Sequence, residues 1–312
     1  MDPAGLRPLG VGEILDVAIK IYRSQFGVLI KAVSVVLGPV FVLAGAIRLS
    51  IPADEDFFEA TQPGATPEFD GGEFWAFLAG TILITLLAFV AAQVATGACF
   101  KAVGGAYFDE QPDWRASLQF ARARLGSLLW LSFLFVIFLA PAFLACIVPG
   151  VYLYVAWAVA TPVLLLEDVR GRAALKRSRA LVKGRWWPTV AVLLLVAILT
   201  GIVQLVFLGL LAGVVSASDN EVAQAVADAV GQTVSSALTT PLSAAVLTVL
   251  YFDLRVRREG FDLELLARQI GVDPTTSGPR DLAPPAPPPA AAPSDDQPPF
   301  WPPPPGWKPR DA

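Results

Sequence analysis

Six long apolar stretches dominate the chain, each carrying few charges and separated from the next by polar or Pro/Gly-containing segments. A helix rises about 1.5 Å per residue, and a bilayer core about 30 Å thick needs about 20 apolar residues to cross it. The pattern therefore predicts transmembrane helices at 27–49, 74–100, 125–148, 151–166, 189–215 and 222–250. The first carries Lys31 near its start, where the amine can reach the headgroups along its own stem. The fourth is short but rich in interface aromatics (Tyr152, Tyr154, Trp157), and Pro149-Gly150 before it reads as a tight turn. The sixth is the most polar, interrupted by Asp228, Gln232, Ser235, Ser236, Thr239 and Thr240. Pro39, Pro141, Pro162 and Pro241 fall in or near spans; they either break helices, as in transporters, or sit there as prolines often do in membrane helices. Residues 1–26 carry Asp2, Glu13 and Asp16 and no uninterrupted apolar core, so a cleaved secretory signal is not expected and the first span should remain as an anchor.

Between the spans the periodicity changes. Segments 13–26, 113–124 and 172–187 place apolar residues at helical spacing beside Lys and Arg. Ile14, Val17 and Ile21 mark the first, Trp114, Leu118 and Ala121 the second, and Leu175, Leu181 and Val182 the third. Such helices lie in the interface plane. Each precedes an odd-numbered span, and Gly27, Gly126 and Gly184 follow or end them. This suggests three units, each an interfacial helix plus a transmembrane hairpin; the other reading is that basic membrane loops commonly look this way. After a juxtamembrane segment at 251–270, proline takes over at 283–293 and 297–309, a composition that favours an extended, disordered tail. The expected fold class is all-α: a polytopic membrane helix bundle over 1–270, with a disordered proline-rich tail over 271–312. The Trp301 and Trp307 motifs among the prolines read either as a ligand for a proline-recognising protein partner or as plain tail.

Composition agrees. The chain is 55% hydrophobic and 16% charged, against about 45–50% and 25% for soluble domains. A net charge of −4 gives no support to a nucleic-acid partner, and the absence of histidine removes His-based catalysis and His metal sites. Cys99 and Cys146, the only cysteines, lie in apolar runs and do not form a disulfide framework. No P-loop, dinucleotide fingerprint, zinc spacing or nucleophile elbow occurs. No catalytic residue, cofactor or metal is therefore expected, and the chain does not read as an enzyme.

Charge sets the expected orientation. With six spans, every Lys and Arg except Arg48 falls on the side of the two termini, while Asp54, Glu55, Asp56, Glu59, Glu68, Asp70, Glu73, Asp219, Glu221 and Asp228 fall on the other. By the positive-inside rule both termini are cytoplasmic, in a bacterial plasma membrane. The densest cluster, Arg170, Arg172, Lys176, Arg177, Arg179, Lys183 and Arg185, reads as a contact for anionic phospholipids of the inner leaflet or as a topology signal alone. Glu167-Asp168 just before it suits the N-terminus of its helix. Gln93 and Gln204 are polar groups within spans. In the sixth span Asp228, Gln232, Ser235, Thr239 and Ser243 recur at helical spacing; that face lines a polar path or serves helix packing.

Three stretches carry a family resemblance. They are Leu6-Arg7-Pro8-Leu9-Gly10-Val11-Gly12-Glu13 with Tyr22-Arg23; Glu167 with Ala174-Leu175-Lys176-Arg177-Ser178-Arg179; and Tyr251-Phe252-Asp253-Leu254-Arg255-Val256-Arg257-Arg258-Glu259-Gly260-Phe261-Asp262. In these the chain resembles a bacterial, mostly actinobacterial, multi-pass membrane family of unknown function, often named after the membrane domain of glycerophosphoryl diester phosphodiesterases. The resemblance implies a membrane protein that handles or senses lipid. It does not imply phosphodiesterase chemistry, which belongs to a separate histidine-bearing barrel that this chain lacks. The expected function is a non-enzymatic lipid-interacting or scaffold role, with a transporter or channel for a small solute as the alternative.

Overall fold

A computed structural model describes residues 9–50, 71–108, 110–217 and 220–259, all within a compact unit, Met1–Phe261. The acidic segment expected near 51–70 and the proline-rich tail lie outside the described residues. The fold is all-α, with no strand among the described residues. Among the described residues ten helices follow in order: α1 Val11–Ser24, α2 Phe26–Ser50, α3 Gly71–Tyr107, α4 Trp114–Ala123, α5 Leu125–Ala145, α6 Ile147–Ala156, α7 Ala160–Leu166, α8 Arg172–Val182, α9 Trp186–Ala217 and α10 Glu221–Glu259. Among the described residues six spans are long and apolar enough to cross a membrane, one of them built from α6 and α7 together. The protein is a multi-pass membrane protein.

The most polar span is the centre of the bundle. Helix α10 packs most extensively on α2, then on α9, α1 and α3. Of its most apolar stretch 61% is buried, against 6% in α3 and 11% in α9. Hydrocarbon gives two helices no reason to exclude it from between them, so membrane interfaces form where small residues let backbones approach. Ala225, Ala229, Gly231, Ala237, Ala244 and Ala245 supply that surface along α10. The Leu- and Val-rich faces of α9, such as Ile202 and Leu205, point outward.

The three basic amphipathic segments become α1, α4 and α8. Asp113 caps α4, accepting the backbone N–H of Arg115 and Ala116. Glu13 reaches back to accept the Gly10 N–H at the start of α1. Helix α4 packs chiefly on α3, α8 on α7, and α1 on α10, so the first helix of the described chain meets the last. The junctions into the spans differ from the expected glycine stops. Helix α1 ends at Gln25 and α4 at Arg124, two residues with nearly the same backbone angles, and Gly27 and Gly126 lie inside α2 and α5. Only Gly184, at φ +85, occupies a conformation that favours glycine.

The turn expected at Pro149-Gly150 falls instead at Cys146, a single extended residue between α5 and α6. Pro149 is the third residue of α6, where its missing N–H costs nothing. Gly150 lets the hairpin close, since a Cβ there would stand 2.5 Å from the Phe143 ring. Pro39, Pro141 and Pro241 sit inside unbroken helices. Pro162 differs: it removes the N–H that would bond the Ala158 carbonyl, and the helix breaks there, between α6 and α7.

Candidate functional site

Contacts between distant stretches gather at one end of the bundle, where α3 and α10 finish and α1, α4 and α8 lie. Glu167, just after α7, is the anchor. Arg177 of α8 donates to it from Nε at 2.8 Å and from Nη2 at 3.2 Å. The Tyr251 hydroxyl donates to Glu167 Oε1 at 2.8 Å. Arg177 also pairs with Glu259, which takes Arg255 Nε at 3.2 Å. Two carboxylates, two guanidiniums and a phenol thus form a neutral, partly buried network tying α7, α8 and α10 together. Hydrogen bonds from Arg177 to Glu259 and Glu167 hold its guanidinium charged well above its ordinary range, against the opposing effect of burial.

A second lock holds the N-terminal stretch. Asp253, buried at 5% exposure, accepts the Leu9 N–H at 2.8 Å and Arg257 Nε at 2.9 Å. Arg257 Nη2 completes the circuit by donating to the Leu9 carbonyl at 2.6 Å. Beside it the Tyr107 ring stacks on Phe252 at 4.4 Å. A third pair joins Arg124 to Asp168 at 3.4 Å. Described residues from all three stretches that carry the family resemblance, Leu9, Glu167 with Arg177, and Tyr251 with Asp253, therefore meet at this one end.

Against this, the predicted phospholipid set divides. Arg177 is consumed by the network. Arg170 lies 3.7 Å from Asp168 on an exposed surface. Arg172, Lys176, Arg179 and Lys183 recur along one exposed face and make no ion pair among the described residues. Arg172 lies over the Phe138 ring and Arg179 over the Tyr152 ring, each at 5.9 Å. Arg185 is half-buried. The opposite face of α8, with Ala174, Leu175, Leu181 and Val182, is buried, and Ser178 on that face donates to the Ala156 carbonyl at 2.9 Å. That carbonyl ends α6, and the first amide of the next helix, Ala160, donates to the Trp157 carbonyl instead. Ser178 thus satisfies a backbone acceptor left over by the broken span.

Glu167 and Asp168 do not cap α8, as their position suggested. Gly171 at φ +57 is its N-cap, and the two acids are held by Arg177, Tyr251 and Arg124. The sequence reading missed Glu167, Asp253 and Glu259 as partners of the cations. The i,i+4 spacing of Asp253 to Arg257 and Arg255 to Glu259 was the available signal.

The polar face of the sixth span also divides. Asp228 is half-buried and Gln232 exposed, while Ser235 and Thr239 are buried and Ser243 is half-buried. Thr239 and Ser243, with Thr240, face a cleft of about 260 Å³ completed by Thr96 and Phe100 of α3 and by Thr200 and Gln204 of α9. Asp228, Gln232 and Ser235 are not part of it. Thr96 and Thr200 were not legible as partners, because each is a lone hydroxyl in an apolar run. Among the described residues no group of three or more His, Cys, Asp or Glu is placed to hold a metal, and both cysteines are free.

No curated protein and no solved structure matches the chain. A family described as Domain of unknown function (DUF8558) matches residues 118–273, which is half of the chain and runs from within α4 through α10, and the chain belongs to that family.

Proposed function

We propose that this is a non-enzymatic protein of the bacterial plasma membrane whose charged end lies in the cytoplasm, with both termini, and whose α8 grips anionic phospholipid headgroups of the inner leaflet. One observation carries the reading. On a single short helix Arg177 is neutralised inward, whereas Arg172, Lys176, Arg179 and Lys183 along the outward face make no ion pair among the described residues. Each such cation beside an anionic leaflet contributes about 1 kcal/mol, screened by salt. The concentration of Lys and Arg on this side supports the orientation, and the resemblance to a family named after a lipid phosphodiesterase's membrane domain supports the lipid link. The Trp- and Pro-rich tail would then offer a cytoplasmic protein partner an extended ligand. A solute path is the second reading; the hydroxyl-lined cleft favours it, but Asp228 and Gln232 stand outside that cleft.

The test uses the full chain in mixed phosphatidylcholine and phosphatidylglycerol vesicles. Brominated phosphatidylglycerol should quench Trp186 and Trp187, next to Arg185, more strongly than brominated phosphatidylcholine does. The preference should vanish in a K176E/R179E/K183E variant. Equal quenching by both lipids in the native chain overturns the proposal. Orientation is read by labelling a single cysteine at Ala180, which is exposed, after replacing Cys99 and Cys146. Labelling by an impermeant reagent from outside intact cells contradicts the cytoplasmic assignment.

A further inference from the structure

The cleft between α3, α9 and α10 has a chemistry distinct from the charged end. Its polar lining is Thr96, Thr200, Gln204, Thr239, Thr240 and Ser243, with no ionisable side chain among the lining residues. Thr200 and Thr239 spend their hydroxyl protons on carbonyls of their own helices. Thr96, Gln204, Thr240 and Ser243 make no hydrogen bond among the described residues. Gln204 is exposed near the middle of α9, between the outward-facing Ile202 and Leu205. A primary amide facing hydrocarbon costs several kcal/mol unless something satisfies it.

Depth narrows the occupant. Thr96 lies eleven residues before Tyr107, and Ser243 eight before Tyr251, the two aromatic residues at the charged end. At 1.5 Å per residue these polar atoms sit about 12–16 Å inward of that end. Phospholipid headgroups belong at the level of the charged end. An anionic or zwitterionic headgroup drawn down to the cleft would meet no charge partner in it, and the desolvation of its own charge would oppose the move. A lipid whose polar part is only hydroxyl and ester groups pays no such penalty and can sink to that depth. Gln204 offers it both a donor and an acceptor, and the hydroxyls of Thr240 and Ser243 can do the same. The cavity, about 260 Å³, exceeds by several fold the roughly 30 Å³ that one water occupies in the liquid. It has room for a glyceryl ester moiety with its chains left in the bilayer.

We infer that this cleft binds an uncharged diacyl lipid of the diacylglycerol class, entering sideways past Gln204. The inference is independent of the α8 proposal, which concerns anionic headgroups at the surface.

The experiment reconstitutes the full chain with diacylglycerol carrying a diazirine near its ester, and in parallel with phosphatidylcholine carrying the same label. Crosslinked peptides are then mapped. Diacylglycerol should label α3, α9 and α10 segments around the cleft at least about fivefold more than phosphatidylcholine, the scale of a hydrogen bond or two. Gln204→Leu should lower that labelling about fivefold, and Thr240→Val with Ser243→Ala should lower it again, while labelling elsewhere on the bundle stays constant. Gln204 is exposed, so its variant should fold as the parent does, and unfolding in detergent verifies this. Equal labelling by the two lipids, or labelling unaffected by Gln204→Leu in folded protein, overturns the inference. So does glycerol flux through vesicles that depends on Gln204, which would make the cleft a solute path instead.

Discussion

Lys176 and Arg177 are neighbours on one helix and have opposite fates. Arg177 turns inward, is held by Glu167 and Glu259, and fastens α8 to α7 and α10. Lys176 turns outward with Lys183 and has no partner among the described residues. A count of cations treats them alike. What separates them is the position of carboxylates on other helices, one of them more than 80 residues away along the chain. The lesson is that a basic cluster at a membrane interface can hold two populations, one structural and one facing lipid. Substitutions on the two sides should therefore part stability from lipid preference.

The largest effect should come from Arg177→Met. It leaves Glu167 and Glu259, partly buried, to share the single guanidinium of Arg255, with Tyr251 still donating to Glu167. Removing one partner of a fully buried pair costs about 3–5 kcal/mol; the partial exposure here brings the expected loss to about 2–3 kcal/mol. Unfolding by dodecyl sulfate titration in mixed micelles measures it. A loss no greater than that of Lys176→Met would erase the distinction between the two faces.

Asp253→Ala should come next, at about 2 kcal/mol, because it strands Arg257 and releases the Leu9 amide together. Its signature is local: hydrogen exchange at the first turn of α1 should quicken well beyond that in α5. Uniform exchange through the two helices would show that the N-terminal lock is not held from α10. Ser178→Ala should cost about 1 kcal/mol, leaving the Ala156 carbonyl without its donor. The same titration reads it, and an unchanged midpoint would show that water or a shift of α8 supplies the missing donor.

The spans were legible because hydropathy measures transfer into lipid, the property that places a helix in the membrane. The same scale misled about importance. It ranked the sixth span last, yet α10 is the hub, since in hydrocarbon helices associate through Ala, Gly and Ser rather than through Leu. The amphipathic segments were legible from their period. The closure of α1 onto α10 was not, because Leu9 and Asp253 are 244 residues apart and neither carries a periodic signal. The break in the fourth span could have been read from Pro162, whose effect falls four residues upstream; the hairpin turn before that span was expected at Pro149-Gly150 and falls at Cys146. The cleft was hidden for another reason: α3 and α9 each contribute one hydroxyl and α10 three, and only their packing collects them.

The smallest effect on stability should come from Lys176→Gln with Lys183→Gln. Both side chains are exposed and touch no carboxylate among the described residues, so the pair of changes should alter stability by no more than about 0.5 kcal/mol. Lipid preference should move far more. Two cations near an anionic leaflet represent about 2 kcal/mol, so enrichment of phosphatidylglycerol over phosphatidylcholine around the protein should fall by about thirtyfold at low salt. The difference from the native chain should shrink at high salt, where the Debye length drops to about 3 Å. Arg177→Met gives the converse result under the same conditions, destabilised but with its lipid preference largely kept. If the two variants instead lost stability and lipid preference in parallel, α8 would be acting as one undivided charged surface, and the inward and outward cations would have no separate roles.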